Sequence, residues 1–448
     1  MDSRHRTWAT SERFVPKTFI RPFVRFSQIE ASSGIVLLIA AIAALIWANS
    51  AWSDTYFSLL EEHISIEFFG FHLDESVLHI INDGLMAVFF FVVGLEIKRE
   101  LVLGDLRDPK AAALPVMAAL GGMVLPALVY FAFNAGTAAS HGWGIPMATD
   151  IAFAVGMVAL LGSRVPPGAK LFLLAIAIAD DIGAIAVIAI FYTSELNAGF
   201  LGAAVAGLAI VWIASKVHIR AMWFYVPAAV IIWYFTLESG VHATLAGVAL
   251  GFLTPAYPYY KPQEFDQRAR AILDQYPAND RTDIHAQEHA EHEVLLLSEI
   301  AQESVSPLTR MEHRLVAWSS FVIVPLFALA NAGVDFRGIS ITEALTSRVA
   351  LGVSMGLVVG KLVGISLASY GAVRFGLGKL PPGTSWRHVV GLAAVAGIGF
   401  TVSLFVAGLA FDDPVFTDYS KVGIFSGSLL AGLIGAFVLS RARPRSQP

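Results

Sequence analysis

The 448 residues are 56% hydrophobic and 15% charged, with a mean hydropathy of +0.66 and a net charge of -5. Soluble domains carry about 25% charged residues, so this composition places the chain among proteins that cross a lipid bilayer many times, and no nucleic-acid partner is expected. The absence of cysteine excludes a disulfide framework, a thiolate nucleophile and a Cys-based metal site, and no cofactor is expected.

In chain order, a basic polar tail over residues 1–28 precedes IEASSGIVLLIAAIAALIWA, an apolar run that starts too late and continues too long for a signal peptide. It is read as the first span. Further apolar runs lie near residues 77–101, 111–133, 146–161, 171–192, 200–214 and 222–237, followed by a short glycine-bearing run at 241–253. After a polar stretch come 315–332, 349–370, 388–411 and 422–440, which makes twelve. The reading is an all-α polytopic membrane protein with its transporter-like domain at 29–440 and a short C-terminal tail at 441–448. Lys and Arg in alternate connections test this order. The connections opposite the N-terminal tail hold only Arg337, Arg348 and Lys421, and Lys361 lies inside a span, which leaves 26 of the 30 cations on the tail's side. Both termini are therefore expected to be cytoplasmic.

Two connections have patterns of their own. In the outer-face loop 53–76, HISIEFFGFHLD alternates Ile64, Ile66 and Phe68 with polar residues and turns at Gly70, which predicts a small β-hairpin that serves as a dimer contact or as a cover over the outer mouth. The cytoplasmic polar loop 255–314 contains HAQEHAEHEVLLLSEI, where His285, Glu288, His289 and His292 fall near one helical face. That spacing is compatible with a metal, but a solvated amphipathic helix ended near Pro307 explains it with less.

The polar residues inside the spans carry the chemistry. LFLLAIAIADDIGAIAVIAIFY, at 171–192, sets Asp180 and Asp181 side by side about ten residues from either end, near the centre of a hydrocarbon core about 30 Å thick. One Asp at that depth costs about 2.5 to 3.5 kcal/mol, so a tandem pair demands a cation, water or a proton. Thr149 and Asp150 sit in IPMATDIAFAVGMVAL behind Gly142, Gly144 and Pro146, and Gly397, Gly399 and Thr401 interrupt a second span far downstream. Two interrupted helices half a chain apart point to inverted repeats with a site at the midplane. If the two cross, Asp150 balances one set of half-helix ends and Lys361 the other. Gly352, Gly356, Gly360 and Gly364 form a ridge at four-residue spacing with Lys361 beside it, so that helix approaches a neighbour closely and Lys361 pairs with Asp180 or Asp181.

These residues carry a resemblance. NDGLMAVFFFVVGLEIKREL at 82–101, ATDIAFA at 148–154, ADDIGA at 179–184, SGVHATLAG at 239–247, GKLVGIS at 360–366 and GIGFTVSLF at 397–405 are together similar to the bacterial NhaA sodium/proton antiporter family, over about 30–440. That family is itself a known instance of inverted-repeat transporters. The resemblance implies twelve transmembrane helices with a crossed pair of interrupted helices, a homodimer held partly by the outer hairpin, and residence in the bacterial cytoplasmic (inner) membrane. It implies exchange of Na+ or Li+ for H+, regulated by pH, in the service of pH and sodium homeostasis. Asp181 becomes the principal ion ligand, with Asp180, Thr149 and Asp150 in the ion and proton site. Lys361 becomes the charge compensator or a proton carrier. Glu96, Arg99, Glu100, Glu312 and His313 line a cytoplasmic funnel that senses pH.

The chemistry follows from competition. Carboxylates withdrawn from water hold protons more tightly, hard cations prefer oxygen ligands, and one site then binds either H+ or Na+. If the empty charged site cannot reorient, exchange is obligatory. A sodium-coupled symporter of an organic solute shares these acids, and a channel suits them less well. The GVSMG stretch formally matches a nucleophile elbow, but an intramembrane hydrolase on Ser354 requires a nearby histidine, and the glycines there continue the ridge.

Overall fold

The computed structural model describes residues 31–68, 71–193, 196–217, 219, 222–276, 284–337 and 340–442. The basic N-terminal tail, the hairpin tip at Gly70 and residues 443–448 lie outside them. Helix α1 (Ser32–Ala48) is apolar from Gly34 onward, and a bend of 109° leads into α2 (Ser53–Glu61). Strands β1 (His63–Phe68) and β2 (Phe71–Ser76) pair antiparallel, with His63 opposite Ser76 and Phe68 opposite Phe71. The expected hairpin is present. The loop reading of 53–76 needs one correction, because α2 occupies its first part, with Ser53, Tyr56 and Leu60 buried at helical spacing.

Helix α3 (Val77–Val102) opens on the Ser76 side chain, which accepts the His79 N–H, and contains a π-helical turn at Ile80–Leu85. Asp108 caps α4 (Pro109–Asn134). A 3-10 segment (Ala138–Met147) and α5 (Ile151–Leu160) form the first broken pair, bent by 43°. Then follow α6 (Pro167–Phe191), α7 (Ala198–Lys216), α8 (Met222–Glu238) and α9 (Thr244–Leu253). The polar loop folds as two helices, α10 (Pro262–Gln275) and α11 (Ile284–Glu303). Helices α12 (Pro307–Asn331), α13 (Ile341–Thr346) and α14 (Arg348–Arg374) come next, with π-helical turns at Ser319–Ile323 in α12 and Gly356–Gly360 in α14. The second broken pair is α15 (Trp386–Val395) and α16 (Phe400–Ala410), bent by 46°, and α17 (Pro414–Ser440) closes the fold.

Among the described residues, seven helices are long and apolar enough to cross a bilayer, or up to ten spans if each of three bent pairs counts once. Helices α8 and α9 are shorter apolar elements. Glycine sets two of the contacts that position the site. Along α14 the predicted ridge meets α4: a Cβ built on Gly364 would lie 2.1 Å from the Gly121 carbonyl oxygen, and one on Gly360 2.6 Å from the Pro126 Cα. Along α9, a Cβ on Gly247 would lie 2.1 Å from the Ala87 carbonyl oxygen of α3, and one on Gly251 2.8 Å from that of Phe91. Real Cβ atoms do not approach so closely, so only glycine permits backbone to rest on backbone at these four positions.

Candidate functional site

The chain opens at residues 148–150 and again at 396–399, and the two openings are bonded to each other. The Asp150 N–H donates to the Ile398 carbonyl at 2.6 Å, and the Ser403 hydroxyl donates to the Ile145 carbonyl at 2.7 Å. Asp150 is the N-cap of α5, accepting the Phe153 N–H on Oδ1 at 3.1 Å. Its Oδ2 accepts from the Thr401 N–H at 3.0 Å and the Thr401 hydroxyl at 2.7 Å, in the first turn of α16. One carboxylate therefore meets the partial positive charge at the start of both inner half-helices.

Lys361 stands just past the π-helical turn of α14 and is fully buried. Such turns are frequent at functional positions in helices, and this one adds a residue immediately before the lysine. Its Nζ lies 2.5 Å from Asp180 Oδ2 and 3.0 Å from Thr149 Oγ1. Thr149 Oγ1 is also 2.8 Å from Asp180 Oδ2 and 2.8 Å from the Ala396 carbonyl oxygen. Having one proton, that hydroxyl donates to either oxygen while accepting from the ammonium. The pairing of Lys361 falls on Asp180. Asp181, one residue further round α6, is buried beside it, and Oδ1 of both aspartates has no hydrogen-bond partner in the structure. Thr149, Asp150, Asp180, Asp181 and Lys361 thus converge from three elements, the start of α5, α6 and α14, into one apolar interior.

The group expected at the cytoplasmic entrance is separate. Arg99 of α3 pairs with Glu312 of α12, and its other nitrogen lies 3.3 Å from Glu100. Glu96 shares the fields of Arg99, Glu312 and Glu100, and it is also near enough to interact electrostatically with Asp181. His313 is exposed, whereas Glu312 is buried. Lys98 donates to the carbonyls of Phe252 and Thr254 at 2.7 and 2.6 Å, satisfying the end of α9.

Two other readings of the sequence have a structural answer. Ser354 lies inside continuous α14 with its hydroxyl on the Leu351 carbonyl, while His242 bonds the Tyr192 carbonyl, so the two make no dyad. No group of three or more His, Asp and Glu suited to a metal ion occurs among the described residues; His289 lies 3.7 Å from Glu293, and the His285 side chain is outside them. Sequence reasoning missed the Ala396 carbonyl and the hydroxyl of Ser428, which accepts the Gly399 N–H at 3.3 Å. Neither has a signal in residue identity alone.

A buried ammonium–carboxylate–hydroxyl network with spare carboxylate oxygens, set where two apolar helices break, defines an ion-coupled secondary transporter. The Na+/H+ antiporter 1 family matches residues 24–439. The Na(+)/H(+) antiporter NhaA of Syntrophobacter fumaroxidans is 46% identical over 437 residues, covering 96% of this chain and 93% of that protein. The corresponding antiporter NhaA of Oleidesulfovibrio alaskensis is 43% identical over 430 residues, covering 96% and 95%. The chain belongs to the Na+/H+ antiporter 1 family, a family of multi-pass membrane transporters rather than enzymes. Among solved structures, the sodium proton antiporter MjNhaP1 of Methanocaldococcus jannaschii aligns with a TM-score of 0.47 at 13% identity, covering 94% of this chain and 99% of that one.

Proposed function

We propose that the chain exchanges Na+ for H+ at the Asp180–Asp181 site, with Asp181 as the principal ligand and Asp180 and Thr149 as further oxygen donors. The observation that carries this reading is the pair of buried, unpartnered Oδ1 atoms on adjacent aspartates. An ionised oxygen buried without a partner is costly, and either a proton or a hard cation relieves that cost. The two ligands then exclude each other. Lys361 compensates Asp180 while the site is empty of Na+, and the arrival of the cation competes with the ammonium for the same oxygen. Asp150 keeps both breaks in place rather than entering the first coordination shell, since its oxygens already serve α5 and α16.

On this reading α8 and α9 also span, which brings the total to twelve, arranged as inverted repeats with the broken pairs crossing. The membrane domain covers 29–440 between cytoplasmic tails at 1–28 and 441–448, in a bacterial inner membrane. Glu96, Arg99, Glu100 and Glu312, with His313 at the rim, form the pH-responsive cytoplasmic entrance, and β1–β2 contributes to a homodimer. Proteoliposomes with an imposed pH gradient test the central claim. Added Na+ should collapse the gradient, and Asp181→Asn should abolish that collapse while the protein remains folded by size-exclusion chromatography. Collapse at the unsubstituted rate by this variant overturns the site.

A further inference from the structure

Three elements supply the ion site: α5 begins at Asp150, α6 bears both aspartates, and α15 ends beside Ala396. Their remote ends converge on one side chain. His388, in the first turn of α15, is fully buried. Its Nδ1 accepts the Ser385 N–H at 3.1 Å and lies 2.8 Å from the Ser385 hydroxyl, and its Nε2 lies 3.2 Å from the carbonyl oxygen of Arg164, in the turn that joins α5 to α6. A backbone N–H can only donate and a carbonyl can only accept, so these partners require the neutral ring with its proton on Nε2. The surrounding turn has little slack. A Cβ on Gly168, the second residue of α6, would lie 2.9 Å from the Pro382 carbonyl oxygen. Gly383 holds a φ of +74°, and its built Cβ would lie 3.4 Å from Pro166.

We propose that His388 is a positioning residue for ion binding: its Nε2–H bond to the Arg164 carbonyl fixes where the far end of α15 delivers the Ala396 carbonyl. Helix α15 has 10 residues, about 15 Å of rigid rod, so a slip where it starts is carried to where it ends. The Ala396 carbonyl engages the Thr149 hydroxyl, which in turn touches Asp180. Losing the His388 bond therefore loosens the oxygen donors without touching any of them. The inference rests on the site assignment given above.

Two amide substitutions separate this role from simple helix capping. In His388→Gln the terminal amide reaches the position of the ring Nε2 and keeps a donor for Arg164. In His388→Asn the shorter amide reaches only the position of Nδ1, so it keeps the Ser385 cap and loses Arg164. Full-length protein in proteoliposomes is assayed for the Na+ concentration at half-maximal exchange and for maximal rate, at one fixed pH. His388→Asn should raise the half-maximal concentration roughly five- to tenfold, the factor expected for one buried hydrogen bond, with the maximal rate within about twofold. His388→Gln should stay within about twofold of the unsubstituted protein in both. Asparagine at the unsubstituted value, or glutamine impaired as much as asparagine or more, overturns the proposal. Asp181→Asn judges the site assignment independently: an inactive Asp181→Asn with an indistinguishable Gln/Asn pair removes only the role of His388.

Discussion

At the scale of single residues, the pair between Lys361 and Asp180 is the one most exposed to experiment, because both side chains are wholly buried. Removing one partner of such a pair leaves the other charge without compensation, at a cost of about 3–5 kcal/mol. Lys361→Gln should therefore lower the melting temperature of the detergent-solubilised protein, measured by fluorescence-detected size exclusion. If the ammonium also surrenders a proton when Na+ arrives, this variant moves fewer protons per Na+ and generates less voltage. Unchanged electrogenicity with lowered stability would make Lys361 purely structural. Competition at the aspartates makes a second prediction. While the site is mainly protonated, each unit of rising pH should lower the Na+ concentration for half-maximal exchange about tenfold, and a half-maximal concentration indifferent to pH would exclude a shared site. That Lys361 meets an aspartate was legible from its depth among small residues. Which aspartate it meets was not, since neighbours on a helix differ only in which packed element they face.

Among the elements, α4 and α14 depend most on what is missing from their side chains. Gly364→Ala drives a methyl group against the Gly121 carbonyl, where neither backbone can yield without moving the other helix. It should cost about 1–3 kcal/mol of stability and weaken exchange by shifting Lys361. Gly371→Ala, on the same helix with nothing within 4 Å of its built Cβ, should be neutral or stabilising by thermal melting. Equal behaviour of the two would mean that the contact is less tight than the geometry requires. Both helix breaks were legible, because Gly397 and Gly399 inside one apolar run, and Gly142, Gly144 and Pro146 ahead of another, cannot sustain an uninterrupted helix. The beginnings of the broken elements were less so: the 3-10 segment starts at Ala138 in a stretch with no apolar periodicity. Helix α10 escaped notice for a related reason. Its signals are a proline at its first position and Glu264, whose carboxylate accepts the Lys261 N–H at 3.2 Å, which are local, while attention to periodicity favours apolar faces.

For the whole molecule, the hairpin is the natural test of assembly. It makes two six-residue strands with their edges unsatisfied by any third strand among the described residues, and exposed edges favour pairing with another copy. Deleting residues 63–73 should reduce the dimer fraction in detergent, measured by light scattering, while retaining activity per protomer; an unchanged dimer fraction would reject that role. The glycine contacts bear on motion in another way. Where backbone rests on backbone, there are no rotamers to rearrange, so α4 with α14 and α3 with α9 behave mechanically as two welds. A displacement that carries the aspartates from one aqueous face to the other is expected to leave both welds intact.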